Sequence, residues 1–125
     1  TTFGPWYGDV FSSIEDTIHS IRLLKSIPAR RWIASHNTGF FENNPGRLWD
    51  DYENVIYQRQ EKILNFLQEP KTLEEIVSAW LIYGKPREPK AFFEFNERAL
   101  VVKHLEHLQS KGAIRFDENH YRKVS

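Results

Sequence analysis

The sequence contains no cysteine and no methionine, and its charges cancel. Without cysteine the chain can form neither a disulfide nor a thiolate metal site, so we expect it in a reducing compartment, the cytoplasm. Seventeen basic and seventeen acidic residues leave no net charge that would attract nucleic acid or an anionic membrane. No apolar run approaches the ~20 residues of a membrane span. Any partner must therefore be recognised by a local group of residues.

The first residue is not methionine either, and the chain opens on TTFGPWYG without a polar leader. We expect a piece of a longer protein; removal of an initiator methionine before Thr1 is the alternative. With 40% hydrophobic and 14% aromatic residues in 125, the chain has enough apolar surface to bury a core.

Apolar residues at helical spacing predict two helices in the first half of the chain. The first starts at Ser12, which forms a predicted capping box with Glu15, and ends before Pro28. The second runs from about Pro45 to Gln68. At ~1.5 Å per residue it would span about 33 Å, which is long enough to connect two lobes.

The second half predicts a different order of elements. Thr72 and Glu75 form another capping box at the start of a short helix, and residues 83–95, rich in proline, predict a loop. A third long helix through Leu100 and Leu108 should end at Gly112, and residues 114–123 predict a hairpin with its turn at 117–119. Helix, loop, helix and a two-stranded wing are typical of a winged-helix unit.

Between the first two helices, RRWIAS predicts a short strand that ends at His36, followed by a loop with the sequence HNTGFFENNPG. A histidine there either bonds to nearby backbone or serves as a metal ligand. A catalytic zinc needs about three protein ligands. Spacing alone brings none of the other histidines, His19, His104, His107 and His120, to His36.

Other candidate sites have simpler explanations. His104 and His107 are three residues apart, whereas a zinc helix spaces its histidines by four, so we interpret HLEH as a solvated or partly packed face. The predicted third helix and wing have few excess cations, and acidic residues occupy the tip of the wing, which argues against DNA binding. The adjacent acids at 50–51 and 74–75 are expected in the first turns of predicted helices, where they would favour the helix dipole. No serine has the glycine-flanked setting of a nucleophile.

Four stretches together resemble the C-terminal part of metallo-β-lactamase-fold hydrolases that end in an added winged-helix domain. GPWYGDVFSSIEDTIHSIRLLKSI resembles the loop and helix after the family's aspartate ligand, and RRWIASHNTG the strand that ends in its last histidine ligand. YQRQEKILNFLQEPKTLEEIVSAW resembles the helix that leads into the added domain, and VVKHLEHLQSKGAIRF resembles that domain's helix and wing. The resemblance covers nearly the whole chain.

The resemblance implies that His36 is a metal ligand in a longer parent protein with two zinc ions. Asn37 stands where the family usually has glycine, so the loop there differs. The His-x-His-x-Asp-His cluster and the other ligands are absent and would precede Thr1; Asp9 comes too late to be the aspartate. Because two metals need several ligands, we expect this chain alone to hold no cofactor and to be inert.

The resemblance also places Trp6, Tyr7, Phe40 and Phe41 near the rim of the parent's active site as candidate substrate contacts. Packing in the core is the alternative for all four.

The expected fold is mainly α with a small β component. Residues 1–44 would be a remnant of the hydrolase lobe, 45–68 a connecting helix and 69–125 a winged-helix-like domain. The expected partners are the rest of the parent hydrolase domain and, through exposed apolar surface, a second copy of the chain. The competing hypothesis is a stand-alone winged-helix module that binds nucleic acid or protein.

Overall fold

A computed structural model describes residues 4–9, 11–26, 32–33, 40–41 and 46–124. Its elements confirm a mainly helical α+β fold. Their bounds, in chain order, are α1 Ile14–Ser26, β1 Trp32–Ile33, β2 Phe40–Phe41, α2 Gly46–Phe66, α3 Leu73–Ser78, α4 Lys90–Ser110, β3 Ile114–Asp117 and β4 His120–Lys123.

Helix α1 begins one residue later than the predicted capping box implied. The cap is Ser13, whose hydroxyl accepts a hydrogen bond from the Asp16 backbone N–H at 3.0 Å. The expected pair of Ser12 and Glu15 was therefore wrong by one position, because Ser12 and Ser13 are both suitable cap residues. Helix α1 packs against α2, and the Arg22–Glu53 ion pair at 2.8 Å joins the two helices at the surface.

Helix α2 has the predicted length and presents one long face to the core. The buried residues on this face recur three, four or seven positions apart, as helical packing requires. They are Trp49, Ile56, Arg59, Ile63 and Leu67, of which the last follows the helix end. Arg59 is the one charged residue among them.

The capping box of α3 is confirmed, since Thr72 Oγ1 accepts from the Glu75 N–H and Glu75 Oε1 accepts from the Thr72 N–H. The predicted loop of residues 83–95 was wrong over its second half, because α4 starts at Lys90. Proline lacks an N–H and is tolerated where a helix begins, so Pro89 marks the start of α4 and not the interior of a loop.

Helix α4 ends as predicted, with Gly112 at a φ of 75° and the Ala113 N–H donating to Leu108 O. The hairpin follows, with Phe116 opposite Tyr121. Its turn is Glu118–Asn119, both at positive φ, so β4 starts one residue earlier than predicted. Tyr121 also pairs with Lys71 before α3.

The strand predicted at 30–35 is described at Trp32 and Ile33, which pair antiparallel with Phe41 and Phe40. The two phenylalanines were expected in a loop. Phenylalanine has a high strand propensity, which accounts for β2.

Most of the buried apolar residues form one continuous core that extends from Tyr7 to Ile114. It crosses residues 44/45 and 68/69, where the sequence predicted domain boundaries, because α1, α2 and α4 pack against each other. Those boundaries stay a prediction.

Candidate functional site

An open groove of about 600 Å³ lies between residues 4–13, α1 and α2. We call it the aromatic groove and define it by its large apolar residues, Pro5, Trp6, Phe11, Ile21, Leu24, Trp49 and Tyr52. Hydroxyls and one carboxylate also line it, from Ser12, Ser13, Asp16, Thr17 and Ser20. No cation is among the described residues that line it. The groove can accept an apolar or aromatic group next to hydrogen-bonding partners.

Trp6 is the predicted site residue that lies in this groove, and 39% of it is exposed. Its indole packs over Gly8, where an added Cβ would lie 2.6 Å from Trp6 Cζ2 and 3.0 Å from Ala99 Cβ in α4. A side chain at position 8 would therefore displace the indole. The close approach explains why a glycine follows the two aromatic residues.

Tyr7 points the opposite way from its neighbour and is fully buried. Its hydroxyl accepts a hydrogen bond from Arg59 Nη1 at 3.0 Å and lies 2.5 Å from His104 Nε2. Arg59 Nη1 also donates to the Pro5 carbonyl at 3.0 Å. We call Tyr7, Arg59 and His104 the Tyr7 network. It connects the loop of residues 4–9 to α2 and α4.

Burial controls the protonation of this network. It lowers the pKa of His104 from 6.5 to about 3, and the Arg59 charge acts in the same direction. His104 is therefore neutral at pH 7. Burial also raises the pKa of Tyr7, against the opposing effect of Arg59, so the phenol keeps its proton. Since Arg59 donates to the phenol oxygen, the Tyr7 hydroxyl donates to His104 Nε2.

A second buried polar group lies on the same face of α4. Glu97 is fully buried, and its two carboxylate oxygens accept from the N–H groups of Ile82 and Tyr83, each at 3.0 Å. Burial raises the pKa of Glu97, and these two hydrogen bonds oppose the shift. The carboxylate orders the turn that connects α3 to α4, and it has no exposed surface for a ligand.

The remaining predicted site residues fall in three groups. His36, with Asn37, lies outside the described residues. Phe40 and Phe41 are placed in β2 by their backbone. Tyr7 lies in the core, the alternative that the sequence left open. Among the described residues no group of three or more histidines, aspartates and glutamates could hold a metal.

The HLEH stretch is partly packed, one of the two forms that the sequence interpretation allowed, and His104 within it is completely buried. Its Nδ1 has no hydrogen-bond partner among the described residues. A signal was present in the sequence. The buried residues of α4 recur at helical spacing, and the polar residues Glu97 and His104 interrupt an otherwise apolar pattern. The apolar members are Leu100, Val101, Leu105 and Leu108. Polar residues at core spacing indicate a buried network.

Within the described parts of the chain, no helix combines the length and the apolar character needed to cross a bilayer.

Comparison with known proteins identifies a fold. No protein-family model matches the chain, and no curated protein matches it. Among solved structures, a metallo-β-lactamase family protein from Thermus thermophilus matches with a TM-score of 0.67 and 23% sequence identity. The match covers 88% of this chain and 33% of that protein, so the chain spans about a third of its length. The two chains share a fold over that region.

Proposed function

We propose that this chain is the C-terminal region of a metal-dependent hydrolase of the metallo-β-lactamase superfamily, with His36 as one of its zinc ligands. The fold match over 88% of the chain is the observation that supports the proposal. Zinc acts as a Lewis acid when about three protein ligands hold it. The described residues do not supply such a set. Because a single histidine cannot hold a catalytic zinc, we expect the chain alone to be inert.

The aromatic groove is the proposed substrate rim. It offers Trp6 and Trp49 as apolar surface and Asp16 as its one charge among the described residues that line it. A polyanion would meet no cation among the described lining residues, whereas an uncharged apolar group would be desolvated favourably. We propose that the groove holds an apolar acyl or aromatic part of the substrate.

Zinc content in the longer polypeptide tests the proposal. The gene segment before Thr1 should encode the missing histidine cluster, and the polypeptide that includes it should bind two zinc ions. His36→Ala should reduce the zinc content and abolish hydrolysis, while His19→Ala, at an exposed position of α1, should change neither. Zinc binding and hydrolysis unchanged by His36→Ala would contradict the proposal.

Substrate preference tests the groove in the same polypeptide. The rate constant kcat/KM for 4-nitrophenyl esters should rise with acyl chain length, because a longer chain buries more apolar surface. Trp6→Ala should flatten that dependence. A phosphodiester hydrolysed faster than any of the esters would exclude the apolar assignment.

We propose that residues 69–125 form a winged-helix-like unit that packs against the rest of the protein and does not bind nucleic acid. Three of its arginines are already engaged in ion pairs, because Arg98 pairs with Glu74, and Asp117 at the hairpin pairs with Arg115 and Arg122. An electrophoretic shift of duplex DNA at low salt, weakening steeply as salt rises, would favour the competing nucleic-acid function.

A further inference from the structure

Three hydrogen bonds fix the loop of residues 4–9 to two helices that are distant from it in sequence. Arg59 reaches from α2 to both the Pro5 carbonyl and the Tyr7 hydroxyl, and His104 reaches from α4 to the same hydroxyl. Arg59 is only 3% exposed, and the other two side chains are fully buried.

Such a network is an expensive way to fill a core. Phenylalanine at position 7 and apolar residues at 59 and 104 would bury similar volumes without desolvating a guanidinium, an imidazole and a phenol. Hydrogen bonds have defined directions, which apolar contacts lack. What the network adds to packing is therefore one defined position for the loop.

That position matters because Tyr7 and Trp6 are adjacent and point to opposite sides. With Tyr7 held in the core, Trp6 is placed over Gly8 and into the aromatic groove. We propose that Tyr7, Arg59 and His104 are positioning residues for Trp6, through which helix α4 controls the shape of the aromatic groove. The effect on a substrate rests on the proposed function; the position of Trp6 does not.

The position of Trp6 can be measured directly in this chain. Labelling with 5-fluorotryptophan should give one ¹⁹F resonance for each of the four tryptophans, each assigned by its Trp→Phe variant. Tyr7→Phe removes one oxygen and keeps the ring. We expect it to shift and broaden the Trp6 resonance and to leave that of Trp80, which is buried near α3, in place.

Two variants of His104 separate positioning from packing. His104→Gln keeps a polar group near the position of Nε2 that can accept from the phenol, so the Trp6 resonance should stay close to that of the wild type. His104→Leu fills the core but offers no acceptor, and it should reproduce the effect of Tyr7→Phe. This rescue by the conservative variant is a result that a role in packing alone would not give.

Control variants calibrate the signal. Gly8→Ala should move the Trp6 resonance directly, because its Cβ would collide with the indole. Tyr57→Phe removes a surface hydroxyl from α2, the helix that carries Arg59, and should leave all four resonances unchanged.

The inference is wrong if Tyr7→Phe leaves the Trp6 resonance unchanged while Gly8→Ala moves it. A collapse of all four resonances in Tyr7→Phe would also overturn it, because the hydroxyl would then support the whole core. In the longer polypeptide, Tyr7→Phe should raise KM for long-chain esters more than it lowers kcat. A ¹⁹F shift without hydrolysis in any form of the protein would refute the proposed function and leave the positioning role standing.

Discussion

The Tyr7 hydroxyl meets His104 Nε2 at 2.5 Å although the two residues are 97 positions apart in sequence. Their rings are also in edge contact, with centroids 5.3 Å apart. Contact between the first described loop and the middle of α4 connects the predicted hydrolase remnant to the predicted winged-helix-like unit. A change in the conformation of either region can therefore alter the position of the other through this one hydrogen bond.

The neutral state of His104 predicts that the protein loses stability in acid. The pKa of His104 is about 3 in the fold and 6.5 in an exposed histidine, so between these values the unfolded chain binds a proton that the folded chain does not. The free energy of unfolding should then decrease by up to ~1.4 kcal/mol for each pH unit below about 6.5. Urea denaturation at several pH values measures this slope.

The His104→Gln variant isolates that slope, since glutamine does not titrate. Arg59 and Tyr7 face His104, and Tyr7, whose pKa burial raises, keeps its proton in this range. Glu97 has the opposite effect on the free energy of unfolding. Burial raises its pKa, so the folded state takes up this proton at a higher pH than the unfolded state does. His107, whose pKa burial lowers, adds a contribution of the same sign as His104. Both groups remain in the variant, so an identical pH dependence in the two proteins would contradict the prediction.

Glu97 should contribute to stability through two backbone groups. Glu97→Ala leaves the N–H groups of Ile82 and Tyr83 without their acceptors, and each unsatisfied buried group costs ~1–3 kcal/mol. Glu97→Gln keeps one acceptor and should cost less. Glu61→Gln, at an exposed position of α2, should change the unfolding free energy by less than about 0.5 kcal/mol. Equal stability of Glu97→Ala and the wild type in urea would show that the turn does not depend on this carboxylate.

The helices could be predicted because each has an apolar face at helical spacing. Sequence signals were weaker where two explanations compete. Ser12 and Ser13 can both cap α1, and Pro89 can belong to a loop or start a helix. Phe40 and Phe41 were assigned to a loop because asparagine, proline and glycine surround them. Their pairing with β1 depends on a neighbouring strand, which local composition does not show.

The Tyr7 network could be predicted only in part. Arg59, Glu97 and His104 occupy core positions of α2 and α4, so their burial follows from the helical pattern. The identity of their hydrogen-bond partners does not follow from that pattern. Nothing in the sequence connects Tyr7 to His104, because packing of three helices determines that contact. The role of His36 as a metal ligand stays a prediction, and so does the substrate rim.

Self-association of the chain is expected because large apolar side chains are exposed on α1 and on the loop before it. Phe11 is 98% exposed and Leu23 is 57% exposed. Sedimentation velocity should show a dimer or larger species whose fraction rises with concentration. Leu23→Gln should lower that fraction, and Phe116→Gln, on the hairpin, should not. A monomer at all concentrations would contradict the prediction.

Gly4 and Gly84 offer a matched test of how tightly the loop of residues 4–9 packs on α2. Both have positive φ, 112° and 85°, so alanine at either position costs ~1–2 kcal/mol in backbone strain. Only Gly4 also lacks space, since an added Cβ would lie 2.6 Å from Val55 Cγ1 and 3.0 Å from Arg59 Nη2. Nothing lies within 4 Å of a Cβ added at Gly84. Gly4→Ala should therefore destabilise the protein more than Gly84→Ala does.

A double-mutant cycle separates the collision from the strain. Val55→Ala removes the methyl group that a Cβ at position 4 would strike, so Gly4→Ala should cost less in the Val55→Ala background than in the wild type. The cost of Gly84→Ala should be the same in both backgrounds, because position 84 is open. If Gly4→Ala and Gly84→Ala cost the same, with no coupling to Val55, the loop would not be held against α2. The Arg59 contacts to Pro5 and Tyr7 would then lose their structural basis, since they require that close approach.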